Sequence, residues 1–262
     1  MRNRPRASSS KNSMTTPAGL ICRSNNMQHA DTTLFCIPHA GGNAAYFAQF
    51  GALFPAAIEV RPLDLPGKGR RFREPLPTSM EAMGRDLFAQ MRPTALNRPY
   101  AIFGHSMGGL LAFVCARLAG ETSIPLPKAI FISSVHAPDK INTGIPGPVS
   151  QLPPGKLWDH VLRMGGTPPD VAHSNEFRSY IEPLLAADFA AVESWQPAPC
   201  PPLPMPIHIV LGSEDIITEA DALHWQKLSA APGTVRTFSG GHFYLQNHWQ
   251  ELAEHLTRTL AA

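Results

Sequence analysis

The sequence Gly104-His105-Ser106-Met107-Gly108 decides the fold of this chain. An apolar run, Tyr100 to Phe103, precedes it, and a helix-like run, Leu110 to Leu118, follows it. A strand, a G-x-S-x-G turn and a helix in this order are typical of a nucleophile elbow, which exposes a serine above the end of a sheet. The glycines are needed because a β-carbon at either position would collide with the neighbouring strand or helix. The pattern therefore predicts Ser106 as a nucleophile for acyl transfer.

A nucleophilic serine needs a base and an orienting acid, which follow it along the chain as Asp or Glu and then His in this architecture. An apolar strand, residues 206–211, ends in a turn that contains Glu214 and Asp215. A later strand, residues 234–238, is followed by two glycines and His242. Because catalytic groups gather beyond the carboxyl ends of parallel strands, we predict Asp215 and His242 as partners of the serine, with Glu214 as the alternative acid.

From these residue types we predict three catalytic roles and two oxyanion donors. Ser106 attacks the substrate, His242 takes and returns its proton, and Asp215 orients the imidazole. The N–H of Met107, the residue after the nucleophile, is the first expected donor. The second comes from the loop 38–42 after an early strand, where we predict Ala40, with Gly41 as the alternative. His105 is the variable residue of the elbow and is expected to point away from the reaction.

Strands and helices alternate from residue 32 onward, which predicts a mostly parallel sheet with helices on both faces. The predicted strands lie near 33–38, 57–63, 99–104, 128–134, 206–211 and 234–238. The predicted helices lie near 43–53, 79–92, 107–119, 155–164, 174–195, 218–230 and 243–260. About 70 residues without a strand separate the fourth and fifth strands, too many for an ordinary loop.

We interpret residues 137–203 as an inserted helical lid, in one catalytic domain that spans residues 31–262. A lid suits an apolar acyl chain, and seven of its side chains are candidates for the inner face. These are Leu157, Val161, Met164, Tyr180, Leu184, Phe189 and Trp195.

Six segments in order resemble the type II thioesterases of modular polyketide and nonribosomal peptide synthesis. They are Phe35 to Gly42, Leu65 to Arg70, Gly104 to Gly109, Met164 to Pro168, Leu184 to Phe189 and Gly240 to Phe243. The chain departs from the family at Lys68 and Ala186, where the family often has arginine, and at Val114, where it often has an acid.

The resemblance implies an α/β-hydrolase that removes aberrant acyl groups from the phosphopantetheine arms of acyl or peptidyl carrier proteins. It also implies the catalytic set Ser106, Asp215 and His242 with Ala40 and Met107 as oxyanion donors, and neither cofactor nor metal. Synthases of antibiotic and siderophore type are the expected setting. Two enzymatic alternatives stay open, a small-ester carboxylesterase and a chain-releasing thioesterase of fatty acid synthase. A binding protein on a hydrolase scaffold is the non-enzymatic alternative, although such proteins usually lack one member of the triad.

Charge and composition limit the partners further. Residues 1–30 carry five of the 22 basic residues and no acid, and we interpret them as a disordered extension without the apolar core of a secretory signal. The rest of the chain has 17 basic and 20 acidic residues, so nothing points to nucleic acid. No apolar run reaches the roughly 18 residues that span a bilayer. The cysteines Cys22, Cys36, Cys115 and Cys200 show no metal or disulfide spacing, which favours a cytoplasmic protein, and a monomer is the default expectation.

A basic cluster follows the second predicted strand. Lys68, Arg70, Arg71 and Arg73 lie within six residues of one another. Carrier proteins are typically acidic, so the cluster could steer them by charge. A solvated run of charges without a partner is the alternative interpretation.

Overall fold

The computed structural model describes residues 30–141, 147–153 and 155–262. The predicted extension, residues 1–30, lies outside the described residues except for Ala30. Six parallel strands form one sheet in the order β2-β1-β3-β4-β5-β6. The strands are β1 (Thr32–Ile37), β2 (Ile58–Pro62), β3 (Tyr100–His105), β4 (Ile130–Ser133), β5 (Ile207–Gly212) and β6 (Val235–Phe238). The predicted α/β fold with a parallel sheet is confirmed.

Seven α-helices connect or follow these strands in the described part of the chain. They are α1 (Met80–Ala95), α2 (Met107–Gly120), α3 (Lys156–Met164), α4 (Pro169–Ala172), α5 (Asn175–Glu193), α6 (Glu219–Gln226) and α7 (Trp249–Ala261).

Two predicted helices differ from the structure. The segment 43–53 forms two 3₁₀ turns, Ala44–Phe47 and Phe50–Leu53, because a period near three places the buried Phe47 and Phe50 on one side, against the sheet. The predicted helix 243–260 begins with another 3₁₀ turn, Tyr244–Asn247, and α7 starts only after it.

Alternate residues of each strand pack into two apolar cores, one on each face of the sheet. Phe35 and Ile102 face a core that includes Met83 and Leu87 of α1. Their neighbours along the strands, such as Leu34 and Phe103, face the second core, which contains Phe47, Phe50, Leu252 and Leu256. Burial on both faces explains why the strands read as continuous apolar runs rather than as an alternating pattern.

The segment between β4 and β5 carries α3, α4 and α5. This segment has a small apolar core, formed by Leu157 and Trp158 of α3, Leu185 of α5 and Val149 of a preceding 3₁₀ turn. Ser174 caps α5 by accepting a hydrogen bond from the Phe177 N–H at 3.1 Å. None of the helices within the described ranges combines the length and apolarity that a membrane span requires.

Truncating Leu256 of α7 tests the second core. The side chain is fully buried, so we expect Leu256→Ala to lower the free energy of unfolding by about 2–5 kcal/mol through lost apolar burial and a residual cavity. Leu223 of α6 is 56% exposed, and Leu223→Ala should change stability by less than about 0.5 kcal/mol. Urea unfolding of both variants measures the difference, and equal losses would contradict this packing.

Candidate active site

Ser106 lies in the turn between β3 and α2 with a positive φ of 54° and ψ of −124°, a backbone conformation that residues other than glycine rarely adopt. Its N–H donates to the Ser133 carbonyl at 2.7 Å, which holds the turn against β4. A β-carbon on Gly104 would lie 2.0 Å from the Gly108 carbonyl oxygen, and one on Gly108 would lie 2.2 Å from that of Ile37. The two glycines therefore permit the tight approach that leaves Ser106 facing the space above the sheet.

His242 and Asp215 are brought together by the loops that follow β6 and β5. The Nδ1 atom of His242 lies 3.1 Å from Oδ2 of Asp215 and 3.3 Å from its Oδ1. A β-carbon on Gly212 would lie 2.4 Å from the Gly240 carbonyl oxygen, so only glycine lets the two loops come this close. Glu214 is exposed, and its N–H donates to the same carbonyl at 2.9 Å. Asp215 rather than Glu214 is thus the acid in contact with the imidazole.

The environment keeps Asp215 ionised. Burial is the largest single influence and raises the pKa of Asp215, but the hydrogen bond and charge of His242, together with contributions from Ser134 and Ile216, lower it more. The resulting pKa lies below the usual value of an aspartate, so the group is a carboxylate at neutral pH. A charged carboxylate at Nδ1 sets the ring tautomer and leaves Nε2 to act on the far side.

The Nε2 atom of His242 is buried and has no hydrogen-bond partner among the described residues. Ser106 and His242 line the same cavity, but their side chains are not hydrogen-bonded to each other. Bonds between a nucleophile and its base are often long in the free enzyme and tighten in the substrate complex. The arrangement gives Ser106 and His242 access to one common space.

The loop after β1 contains Ala40 and Gly41, and the first residue of α2 is Met107, the other predicted oxyanion donor. Within the described residues, the N–H groups of Ala40 and Met107 donate to no other backbone or side-chain group. The N–H of Gly41, the alternative donor, is instead bonded to Oδ2 of Asp188 at 2.7 Å. Gly41 is therefore not available to an oxyanion, whereas Ala40 and Met107 keep free donors.

A largely apolar cavity of about 350 Å³ opens beside Ser106 and His242. Three of the predicted lining residues, Val161, Met164 and Phe189, contribute to its wall. The prediction is wrong for Tyr180, which is 54% exposed, and for Trp195, whose ring N–H donates to Glu81 of α1 at 2.6 Å. Leu157 and Leu184 do not reach the cavity either. The wall also contains side chains that sequence reasoning missed, namely Tyr46, Trp158, Phe177, Ile181, Leu185, Phe243 and Gln246.

His39 is a further side chain at this cavity that the sequence did not single out for a role. Its Nδ1 donates to the Ala40 carbonyl at 2.9 Å. Burial lowers the pKa of His39 to about 4, although this hydrogen bond acts in the opposite direction. The ring is therefore neutral at pH 7, with its proton on Nδ1. The sequence did contain a signal for His39, because it lies two residues before the Gly41-Gly42 pair in the loop that was predicted to border the site.

The predicted basic cluster after β2 is not a single exposed surface. Lys68 is buried and forms an ion pair with Asp188, 120 residues later. Arg71 is held by Glu74 and Asp86. Arg70 and Arg73 are the exposed members. Sequence alone could not separate them, because the partner of Lys68 belongs to a distant helix.

A metal site is not evident in residues 30–141, 147–153 and 155–262. No group of three or more His, Cys, Asp or Glu side chains there is placed to hold a metal ion.

Known proteins resemble the chain over nearly its whole length. The Thioesterase domain family matches residues 32–260. The Gramicidin S biosynthesis protein GrsT of Aneurinibacillus migulanus is 32% identical, covering 88% of this chain and 90% of the relative. The human S-acyl fatty acid synthase thioesterase, medium chain, is also 32% identical, covering 81% and 80%. The type II thioesterase BorB from the borrelidin biosynthetic cluster matches with a TM-score of 0.79 and 32% identity, covering 89% and 96%.

Adding a methyl group at Gly108 tests the geometry of the elbow. We expect Gly108→Ala to unfold the protein or to remove its activity, because the new carbon would overlap the Ile37 carbonyl oxygen. Gly120, at the other end of α2, offers the matched control. A β-carbon there has only an ordinary contact at 3.9 Å, so Gly120→Ala should be neutral or stabilising by about 0.4–1 kcal/mol. Thermal unfolding and turnover are measured for both variants. A stable, active Gly108→Ala protein would contradict the close approach of α2 to β1.

Proposed function

The chain belongs to the thioesterase family as a type II thioesterase, and we propose that it hydrolyses acyl thioesters on the phosphopantetheine arms of acyl or peptidyl carrier proteins. The reaction would clear aberrant acyl groups from polyketide or nonribosomal peptide synthases. The observation that carries this proposal is the Asp215–His242 pair, which shares one apolar cavity with Ser106.

In the proposed mechanism, Ser106 Oγ attacks the thioester carbonyl while Nε2 of His242 accepts the hydroxyl proton. The tetrahedral intermediate collapses, the carbon–sulfur bond breaks, and the imidazolium returns the proton to the departing pantetheine thiolate. Water then attacks the acyl-enzyme, giving its proton to His242, and the free acid leaves as Ser106 regains a proton. Asp215 holds the ring and stabilises its transient charge. Burial of its carboxylate and its lowered pKa support this role.

The oxyanion of each tetrahedral intermediate would be bound by the N–H groups of Ala40 and Met107. Both amides lack a partner within the described chain; Ala40 lines the same cavity as Ser106, and Met107 directly follows Ser106. Preorganised donors of this kind stabilise charge only as it develops, and each typically contributes a factor of about 100–1,000 in turnover.

We assign the cavity to the acyl chain and residues 137–203 to a lid over it. The wall of the cavity combines α3 and α5 with the loop after β1, so an acyl chain would lie between the insertion and the core. Apolar walls favour alkyl groups, and each buried methylene would contribute about 0.8 kcal/mol.

The proposal that a carrier protein is the partner is based on the names of the relatives and not on an observed contact. GrsT is named for gramicidin S biosynthesis and BorB for the borrelidin cluster. Arg70 is 89% exposed although its Nε lies 3.8 Å from Oδ2 of Asp64, and together with the exposed Arg73 it would present positive charge to an acidic partner.

A second candidate function is release of fatty acids from a fatty acid synthase. It is favoured by the likeness to the human medium-chain thioesterase and by the apolar cavity. The two functions differ in selectivity. An editing enzyme should accept short and varied acyl groups on a carrier, whereas a chain-releasing enzyme should strongly prefer medium or long chains.

A panel of acyl-loaded carrier proteins, followed by mass spectrometry, tests the proposal. We expect a higher kcat/KM for acyl-carrier thioesters than for simple oxygen esters, across several acyl lengths. Ser106→Ala should lower turnover by roughly five to six orders of magnitude, because a triad acts as a unit. Ser123→Ala, at an exposed turn after α2, is the matched control and should behave as the wild type. Better hydrolysis of simple esters would favour a carboxylesterase, and near-normal turnover of Ser106→Ala would exclude the nucleophile.

Replacing the orienting acid tests the role of Asp215. Asp215→Asn removes the charge that fixes the imidazole, so we expect kcat to fall by about 10,000-fold with little change in KM. Glu214→Gln changes the adjacent exposed acid in the same way and should retain kcat. Steady-state kinetics on one acyl-carrier substrate compares them. A larger loss in Glu214→Gln than in Asp215→Asn would transfer the role to Glu214.

A further inference from the structure

Asp188 lies on α5 of the insertion, yet its carboxylate contacts the loops that follow β1 and β2. Its Oδ2 accepts a hydrogen bond from the Gly41 N–H at 2.7 Å and is paired with the Nζ of Lys68. We propose that Asp188 is a positioning residue for the oxyanion-binding loop, which it holds through Gly41 while Lys68 neutralises its buried charge. This inference rests on the proposed hydrolytic function and on Ala40 as an oxyanion donor.

The peptide bond between Ala40 and Gly41 is held at both of its polar ends. Asp188 accepts from its N–H, and the ring of His39 donates to its C=O at 2.9 Å. A peptide unit fixed at both ends cannot rotate without breaking one of these bonds. Because this unit directly follows the Ala40 N–H, its orientation also limits where that donor can point.

The backbone of Gly41 explains why an external acceptor is needed. Gly41 has φ of +73°, and a β-carbon there would lie 2.7 Å from the side chain of Leu185 on α5. The turn is thus both left-handed and covered by the insertion. Gly41 is half-buried, and an N–H that is shielded from water costs stability unless it finds an acceptor; Asp188 on the same covering helix supplies one.

Lys68 makes the buried carboxylate tolerable. The side chains of Lys68 and Asp188 are only 2% and 1% exposed. Removing one partner of a buried pair leaves an uncompensated charge and is strongly destabilising, whereas removing both charges together is often neutral. The positioning bond to Gly41 can therefore be separated from the ion pair by changing both residues at once.

Two double variants with the same net charge isolate the hydrogen bond. Lys68→Met/Asp188→Asn removes both charges but keeps an oxygen that can accept from Gly41. The Oδ1 atom has no partner in the described chain, so the new NH₂ can take its place without facing another donor. Lys68→Met/Asp188→Leu has nearly the same shape but no acceptor. We expect the leucine variant to lose about 100-fold in kcat, with KM nearly unchanged, and the asparagine variant to be at least about tenfold faster than it.

A second readout separates positioning from mere stability. A trifluoromethyl ketone analogue of the acyl substrate forms an oxyanion on the serine, whereas the matching thioether does not. We expect the leucine variant to lose affinity for the ketone about as much as it loses kcat, while its affinity for the thioether stays within about threefold. Glu81→Ala breaks another bond between insertion and core, the one to Trp195, and should leave the ketone-to-thioether ratio unchanged.

Equal kcat values in the two double variants, whether high or low, would overturn the role of Asp188. Equal losses of ketone and thioether affinity would do the same. If the leucine variant does not fold, Asp188→Ala in the Lys68→Met background gives the same comparison. A failure of this inference leaves wild-type thioester hydrolysis and its loss in Ser106→Ala intact. A wild-type protein without thioester hydrolysis would instead refute the proposed function itself.

Discussion

The strained, positive-φ backbone at Ser106 is the constraint on which the rest of the site depends. It forces β3 and α2 so close that only glycine fits at positions 104 and 108. At Gly108 the close neighbours are the carbonyls of Ile37 and Pro38, at the end of β1. The first turn of α2 therefore packs directly on the strand that leads into the loop containing Ala40. One steric requirement thus exposes the serine and places the loop of one proposed donor beside the N–H of the other.

A buried polar chain joins this elbow to the loop that carries His242. Nδ1 of His105 is hydrogen-bonded to the Ser133 hydroxyl, which is bonded in turn to the Tyr244 hydroxyl, both at 2.9 Å. His105 precedes the serine, and Tyr244 follows His242 by two residues. Burial lowers the pKa of His105 far below its usual value, so the ring is a neutral link rather than a proton carrier. His105 and Ser133 are fully buried, so a substrate cannot reach them, and their hydrogen bonds connect both loops to β4.

The insertion between β4 and β5 is part of the site rather than an attachment to it. Its helices form one wall of the cavity, and Asp188 of α5 accepts a hydrogen bond from Gly41 in the loop after β1. The ion pair with Lys68 joins segments 120 residues apart at a point that solvent does not reach. A movement of α5 would therefore displace the Ala40–Gly41 peptide, which links the proposed acyl cavity to the geometry of the proposed oxyanion donors.

The sequence by itself determined the class of fold, because apolar runs and glycine positions act over a few residues. The six strands and helices α1 and α2 begin within about two residues of their predicted starts. Ser106, Asp215 and His242 could be chosen from the sequence because each follows a recognisable strand in the expected order. Only the tertiary structure decided that Lys68 is buried, that Gly41 donates to Asp188, and that Trp195 lies away from the cavity. A local sequence pattern shows a charged or aromatic side chain but not the residue that this side chain contacts in the folded protein. Burial and hydrogen bonding depend on which distant segments pack together, and that is settled only when the insertion meets the sheet.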